Sequence, residues 1–164
     1  MIKEKLLISA CLIGENVKYN GKNNLINISS LENEYELIPF CPEVEGGLST
    51  PRPPSEIVSF NPLKLINQNG DDVTDNFILG AKKALSLAKK EGIKKALLKA
   101  NSPSCSSEYV YDGSFSGKLI KGKGVTTIFL EKEGIEVFDE KSEEIKNVWY
   151  KKRFETQRAL YRKV

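Results

Sequence analysis

Three short apolar runs each break into a loop that carries a cysteine. Leu6-Leu7-Ile8-Ser9-Ala10 precedes Cys11, Glu36-Leu37-Ile38-Pro39-Phe40 precedes Cys41, and Ala96-Leu97-Leu98-Lys99-Ala100 leads through Asn101-Ser102-Pro103-Ser104 to Cys105. Runs this short, bounded by turn residues, read as buried strands, expected over residues 6–10, 35–40 and 94–99. As neighbours in one parallel sheet, their carboxyl ends would form a single crevice, which is where open α/β sheets place ligands. The cysteines lie 30 and 64 residues apart (11 to 41, 41 to 105), the spacing of a site assembled by the fold and not of a local clip.

The rest of the chain alternates in the same way. A helix is expected from Thr74 to about Glu91, with Thr74 or Asp75 as its cap, Phe77, Ala81, Ala84, Leu85 and Ala88 on one face, and Gly92 as its stop. A second starts after Gly124 and ends at Gly134, followed by a strand through Ile135–Phe138. Strands alternating with helices predict an α/β protein with a mostly parallel sheet. The tail from about Ser142 to Arg162 reads as a helix, with Ile145, Val148, Trp149, Phe154, Leu160 and Tyr161 able to pack. At 164 residues, one domain is the expectation. No apolar run approaches the roughly 18 residues that span a bilayer, and the N-terminus lacks a signal-peptide core, so a cytoplasmic protein with no membrane partner is expected.

Charge says little about partners. The net charge is +3, and the basic excess gathers in Lys151, Lys152, Arg153, Arg158, Arg162 and Lys163, which read first as a solvated helix face; RNA is a possible partner but is not implied. The chain has no histidine, which removes the commonest zinc ligand and every Ser-His or Cys-His nucleophile pair. An odd cysteine count in a reducing compartment favours thiolates over a disulfide framework. Zinc on three cysteinates would need a carboxylate or water as fourth ligand. An iron-sulfur cubane on three cysteinates would keep one iron without a protein thiolate. A third reading makes the cysteines small apolar core residues.

Two segments read as loops with a purpose. In Cys41–Pro54, four prolines and Gly46-Gly47 fix the backbone around Glu43, Glu45 and Arg52. In Tyr111–Lys118, running on to Gly122-Lys123-Gly124, turn residues lead into a helix N-terminus whose amides can hold an anion or a carbonyl-bearing ligand.

The segments Cys11-Leu12-Ile13-Gly14 with Lys18-Tyr19-Asn20-Gly21, Cys41-Pro42-Glu43-Val44-Glu45-Gly46-Gly47-Leu48 with Pro51–Glu56, Asp72-Val73-Thr74, Asn101–Cys105 and Tyr111–Gly117 resemble, in that order, a family long catalogued only as a domain of unknown function and since exemplified by bacterial thiouracil desulfidases. The resemblance spans residues 5 to about 140. It implies a single Rossmann-like three-layer domain over residues 1–140, with residues 141–164 as a C-terminal helical extension packed on it. It further implies a 4Fe-4S cluster held by Cys11, Cys41 and Cys105, with or without an extra sulfide on the fourth iron. The implied reaction removes sulfur from a thiolated pyrimidine such as 2-thiouracil, giving uracil and sulfide, with the thiocarbonyl sulfur on the iron that has no protein ligand. The implied ligand is thus a small thiolated nucleobase, on a monomer or a homodimer.

With no histidine present, Glu43 is the expected proton-moving group, with Glu45 as competitor, since both would point to one side of an extended loop. Ser102 is a candidate for holding the base or the attacking water. Ser104, Arg52 and Ser114 are the candidate substrate contacts. Ser106-Ser107 stand where the family usually has a glycine, and Lys18 and Asn20 replace the commoner arginine and aspartate, departures that bear on the substrate. Other classes compatible with the residues are a non-catalytic iron-sulfur or zinc redox sensor, and a sulfur-insertion enzyme acting on a thiolated tRNA base.

Overall fold

Strand β1 (Glu4–Ser9) sits inside a four-stranded sheet, between β2 (Tyr35–Phe40) and β5 (Lys95–Leu98), with β8 (Glu136–Asp139) outside β5, and every pairing is parallel. The computed structural model describes residues 2–142 and Ile145. Leu6, Leu7 and Ile8 of β1 are fully buried, as a parallel strand covered on both faces requires. Their side chains alternate. Leu6 and Ile8 join Leu12, Leu31, Leu97 and Phe138 on one face, under the 3-10 turn Ala10–Ile13 and helix α1 (Ser29–Glu34). Leu7 joins Ala84, Ala88, Ala96, Leu98 and Leu130 on the other, under α3 (Thr74–Glu91) and α4 (Val125–Lys132). This is a three-layer α/β fold. No helix among the described residues is long and apolar enough to cross a membrane.

The strands and long helices fall within two residues of the expected bounds, and α3 matches at both ends. Its cap does not match: Thr74 is already the first helical residue, and Asp72 Oδ1 accepts the Thr74 amide at 2.9 Å and its hydroxyl at 2.6 Å. Gly92 closes the helix in the left-handed conformation, at φ 68°.

The two loops carry more regular structure than their composition suggests. Pro42–Glu45 forms one helical turn, α2, with proline in its first turn, where its missing N–H costs nothing. Two antiparallel hairpins follow, β3 (Ser55–Phe60) with β4 (Leu63–Asn67), and β6 (Tyr109–Tyr111) with β7 (Leu119–Lys121). They cover a third cluster, Ile57, Leu65, Phe77, Ala81, Val110 and Val125, which fixes them on α3 and α4. Of the expected C-terminal helix, only Ser142 and the fully buried Ile145 fall among the described residues; the rest of it, and the basic run, lie outside them.

Candidate metal and catalytic site

In the order β2-β1-β5-β8, the chain leaves β1 toward β2 and resumes beyond β1 at β5. The carboxyl ends of these three strands therefore border one crevice. A cavity of about 520 Å³ opens there, and Cys11, Cys41 and Cys105 all line it. Cys11 lies in the 3-10 turn directly after β1, and Cys41 is the residue that caps α2 directly after β2.

Cys105 ends a built turn. Asn101 takes the left-handed conformation, at φ 66°, and Ser102 Oγ accepts the amides of Ser104 at 3.2 Å and Cys105 at 3.1 Å. The amides at the start of α4 point at this turn: Val125 donates to the Pro103 carbonyl at 2.9 Å and Thr126 to the Ser104 carbonyl at 2.8 Å. These are amides at the helix N-terminus expected to hold a ligand, and they hold the Cys105 turn instead. A Cβ on Gly124 would lie 2.4 Å from the Ser104 carbonyl carbon, so only glycine allows the helix to come this close.

Burial pushes all three thiols above their ordinary range, Cys105 to about 12. Side chains and amides pull the other way: Asn24 at Cys11, the Val44 and Glu43 amides at Cys41, and the Ser104 and Ser9 hydroxyls at Cys105. Three half- to fully buried thiols facing one cavity favour their protonated forms until a cation supplies the missing charge, and a coordinating metal deprotonates a thiol outright. Among the described residues, no three His, Cys, Asp or Glu side chains gather tightly enough to hold a single ion. A single zinc ion needs every sulfur at about 2.3 Å. A polynuclear cluster would meet each sulfur at a different iron, and three cysteines lining one cavity are a donor set that fits it.

Beside the cysteines runs a polar chain. Arg52 Nε donates to Glu43 Oε1 at 3.2 Å, Ser104 Oγ to Glu43 Oε2 at 3.3 Å, and Ser104 Oγ lies 3.0 Å from Ser102 Oγ and 3.4 Å from Cys105 Sγ. Arg52 is nearly buried and also donates to the carbonyls of Val17 at 2.8 Å and Ser49 at 3.1 Å, so its guanidinium is a fixed strut. Glu43, Arg52, Ser102 and Ser104 line the cavity; Glu45 and Ser114 do not. The segment bearing the two glutamates is helical and not extended, so they diverge, and Glu45 is exposed. Ser114 is also exposed, bound to Asp112 and Ser116 at the tip between β6 and β7.

The cavity has walls that sequence reasoning does not single out. Ser9 Oγ accepts the Lys99 amide at 2.9 Å, joining β1 to β5 at the crevice. Lys99 Nζ lies 3.2 Å from Glu140, whose other oxygen accepts the Ala100 amide at 2.6 Å. Glu56 and Phe115 also line the cavity, from β3 and from the tip between β6 and β7. Ser9 and Lys99 had a signal in the chain, since each lies at or just past the end of an apolar run. Glu56 and Phe115 fall within the segments Pro51–Glu56 and Tyr111–Gly117 that carry the family resemblance, but no local pattern assigned either a role, because their place depends on two hairpins.

Residues 6–142 match the 2-thiouracil desulfurase family. An uncharacterised protein of Bacillus subtilis (strain 168), YbbK, is 40% identical over 143 residues, covering 82% of this chain and 95% of that protein. A solved structure described as the 4Fe-4S-dependent thiouracil desulfidase TudS superposes with a TM-score of 0.78 at 45% identity, covering 84% of this chain and 91% of that one. With sequence and fold in agreement over the same span, this chain belongs to the 2-thiouracil desulfurase family.

Proposed function

We propose that this protein is a 4Fe-4S-dependent desulfidase that exchanges the sulfur of a thiolated pyrimidine such as 2-thiouracil for oxygen. The observation that carries the reading is that three cysteines from the loops after three neighbouring strands line one cavity beside a buttressed carboxylate. Cys11, Cys41 and Cys105 would hold the cluster, which supplies one iron without a protein thiolate, a soft Lewis acid for the thiocarbonyl sulfur. The net reaction is thiocarbonyl plus water to carbonyl plus hydrogen sulfide, with no electrons exchanged.

The chain's own residues supply the proton chemistry. Glu43 Oε2 opens toward Ser104 and the cavity, while Oε1 is taken by Arg52. Arg52 holds Oε1 and so orients the carboxylate, leaving Oε2 to accept a proton from the attacking water and return it to the leaving sulfur. Ser104 Oγ, between Glu43 and Cys105, orders that oxygen. Ser102 acts through the Cys105 turn.

The test is anaerobic reconstitution, iron and acid-labile sulfide analysis, a visible spectrum, then incubation with 2-thiouracil. About four irons per chain, a brown chromophore and released sulfide with stoichiometric uracil are expected. A loaded protein that releases no sulfide from thiolated pyrimidines would leave a redox sensor as the better reading; a protein that takes up no iron would end both.

A further inference from the structure

The tip between β6 and β7 is anchored by a carboxylate from the neighbouring hairpin. Glu56 Oε1 accepts two amides of that tip, Gly113 at 3.0 Å and Phe115 at 3.2 Å. Glu56 is nearly buried, and both Glu56 and Phe115 line the cavity that holds the three cysteines. Phe115 stands in the left-handed conformation, at φ 57°, which a bulky side chain adopts only where its surroundings over-determine it. Gly113 makes the arrangement possible, since a Cβ there would lie 2.9 Å from the Ile57 carbonyl oxygen of β3.

The second carboxylate oxygen, Oε2, has no hydrogen-bond partner among the described residues, although Glu56 lines the cavity. A nearly buried carboxylate that lines a cavity, with one oxygen engaged and the other without a partner, is an acceptor waiting for a donor. The strained phenylalanine beside it offers an apolar face of the kind on which heterocyclic bases stack.

We propose that Glu56 and Phe115 form the base-recognition wall of the site. Phe115 stacks on the planar ring, and Glu56 Oε2 accepts a ring N–H, so the wall selects heterocycles that keep an N–H over N-alkylated ones. This deepens the desulfidase reading and rests on it. Both residues bind the ring and neither touches the sulfur, so both act on affinity and not on the bond cleaved.

The variants that test it are Glu56→Gln and Phe115→Leu, with Phe115→Tyr as the conservative control. Glutamine can keep the clamp on the two amides through its carbonyl while presenting an NH₂ where the acceptor stood. Uracil binding to cluster-loaded protein is followed by calorimetry, alongside KM and kcat for 2-thiouracil, with iron content as the check on folding. Glu56→Gln is expected to weaken uracil binding by about ten- to a hundred-fold. Phe115→Leu is expected to weaken it by about ten-fold, and Phe115→Tyr to leave it near wild type. KM should rise in step with the lost uracil affinity while kcat stays within about two-fold of wild type, the signature of uniform binding. One of the two N-monomethyl 2-thiouracils should be a poor substrate for wild type, with that discrimination lost in Glu56→Gln.

Unchanged uracil affinity and KM in iron-replete Glu56→Gln and Phe115→Leu would overturn the proposal, as would losses confined to kcat. If wild type releases sulfide from 2-thiouracil and the variants match it, this inference alone fails. If loaded wild type neither releases sulfide nor binds uracil, the desulfidase reading fails and takes this one with it.

Discussion

Arg52 Nε lies 3.2 Å from Glu43 Oε1, with the arginine side chain 4% exposed and the glutamate 16%. Nine residues apart in one proline-rich segment, they are the only ion pair among the described residues that lies within the wall of the cysteine cavity. Lys99–Glu140 stands at its edge, with only the lysine in the wall. The Arg52–Glu43 pair separates two glutamates that composition alone leaves equivalent. Glu43→Gln should keep its iron and lower kcat by about 10²–10⁴-fold, the range for a lost general acid-base group. Glu45→Gln, at an exposed position off the cavity, should stay within about two-fold of wild type. Equal losses in the two variants would remove Glu43 from its role.

Arg52 also ties the Val17 carbonyl to the segment around Ser49. Replacing it by alanine strands the Glu43 carboxylate and two carbonyl acceptors together. Breaking a buried pair costs about 3–5 kcal/mol, so urea unfolding of Arg52→Ala should show a markedly lower midpoint. A midpoint unchanged from wild type would mean that the strut contributes nothing to the fold.

The two serines before Cys105 should separate experimentally. Ser102 Oγ accepts the Ser104 and Cys105 amides, so Ser102→Ala loosens the Cys105 turn at about 1 kcal/mol per lost bond. It should show as reduced iron retention under chelator challenge. Ser104 Oγ faces Glu43 and Cys105, and Ser104→Ala should retain iron while losing turnover. Iron assays and initial rates on the same preparations decide between these outcomes and their reverse.

Helix α2 is positioned by contact with α3 and not by its own length. A Cβ on Gly80 would fall 1.9 Å from the Pro42 carbonyl oxygen, and Asn76 Nδ2 donates to the Gly46 carbonyl at 2.9 Å. Gly80→Ala would favour α3 as a helix yet push α2, with Cys41 and Glu43, off its seat. Overpacking of this kind costs about 1–3 kcal/mol. The variant should be destabilised and bind iron more weakly, whereas a stabilised variant with full iron would contradict the packing.

The Ser114 hydroxyl and then its amide, both on Asp112, hold that carboxyl below its usual range. A folded value below the unfolded one means stability that is complete above the unfolded carboxylate range and is lost as pH falls through the depressed value. Unfolding of Asp112→Asn and wild type should therefore differ in pH dependence only on the acid side, with wild type losing more stability as pH drops below about 4. Parallel curves down to pH 3 would show that the turn carries no carboxylate linkage.

The strands, the long helices and the cysteines were legible because each rests on a short-range pattern. Leu6-Leu7-Ile8 has no polar face to put in water, and Phe77, Ala81, Ala84 and Ala88 recur at helical spacing. The hairpins β3–β4 and β6–β7 were not legible, because their strands mix polar with apolar residues, as in Ser55–Phe60, and lack the continuous apolar run that marks β1. One turn of helix at Pro42–Glu45 lies below any periodicity, yet it turns Glu45 away from the cavity that Glu43 faces. The place of Ser114 was illegible for the same reason: the loop that contains it forms a tight tip whose phenylalanine, and not its serine, lines the cavity.

By itself the sequence determined the α/β alternation, the place of each cysteine in a loop after an apolar run and the family to which the chain belongs, since these depend on residue type and order. Only the tertiary structure decided which carboxylate is buttressed, which amides are already spent on the Cys105 turn, and that Glu56 and Phe115 line the cavity. Those properties come from contacts between segments tens of residues apart, such as Ser104 with Glu43 and Gly113 with Glu56, which no local pattern encodes.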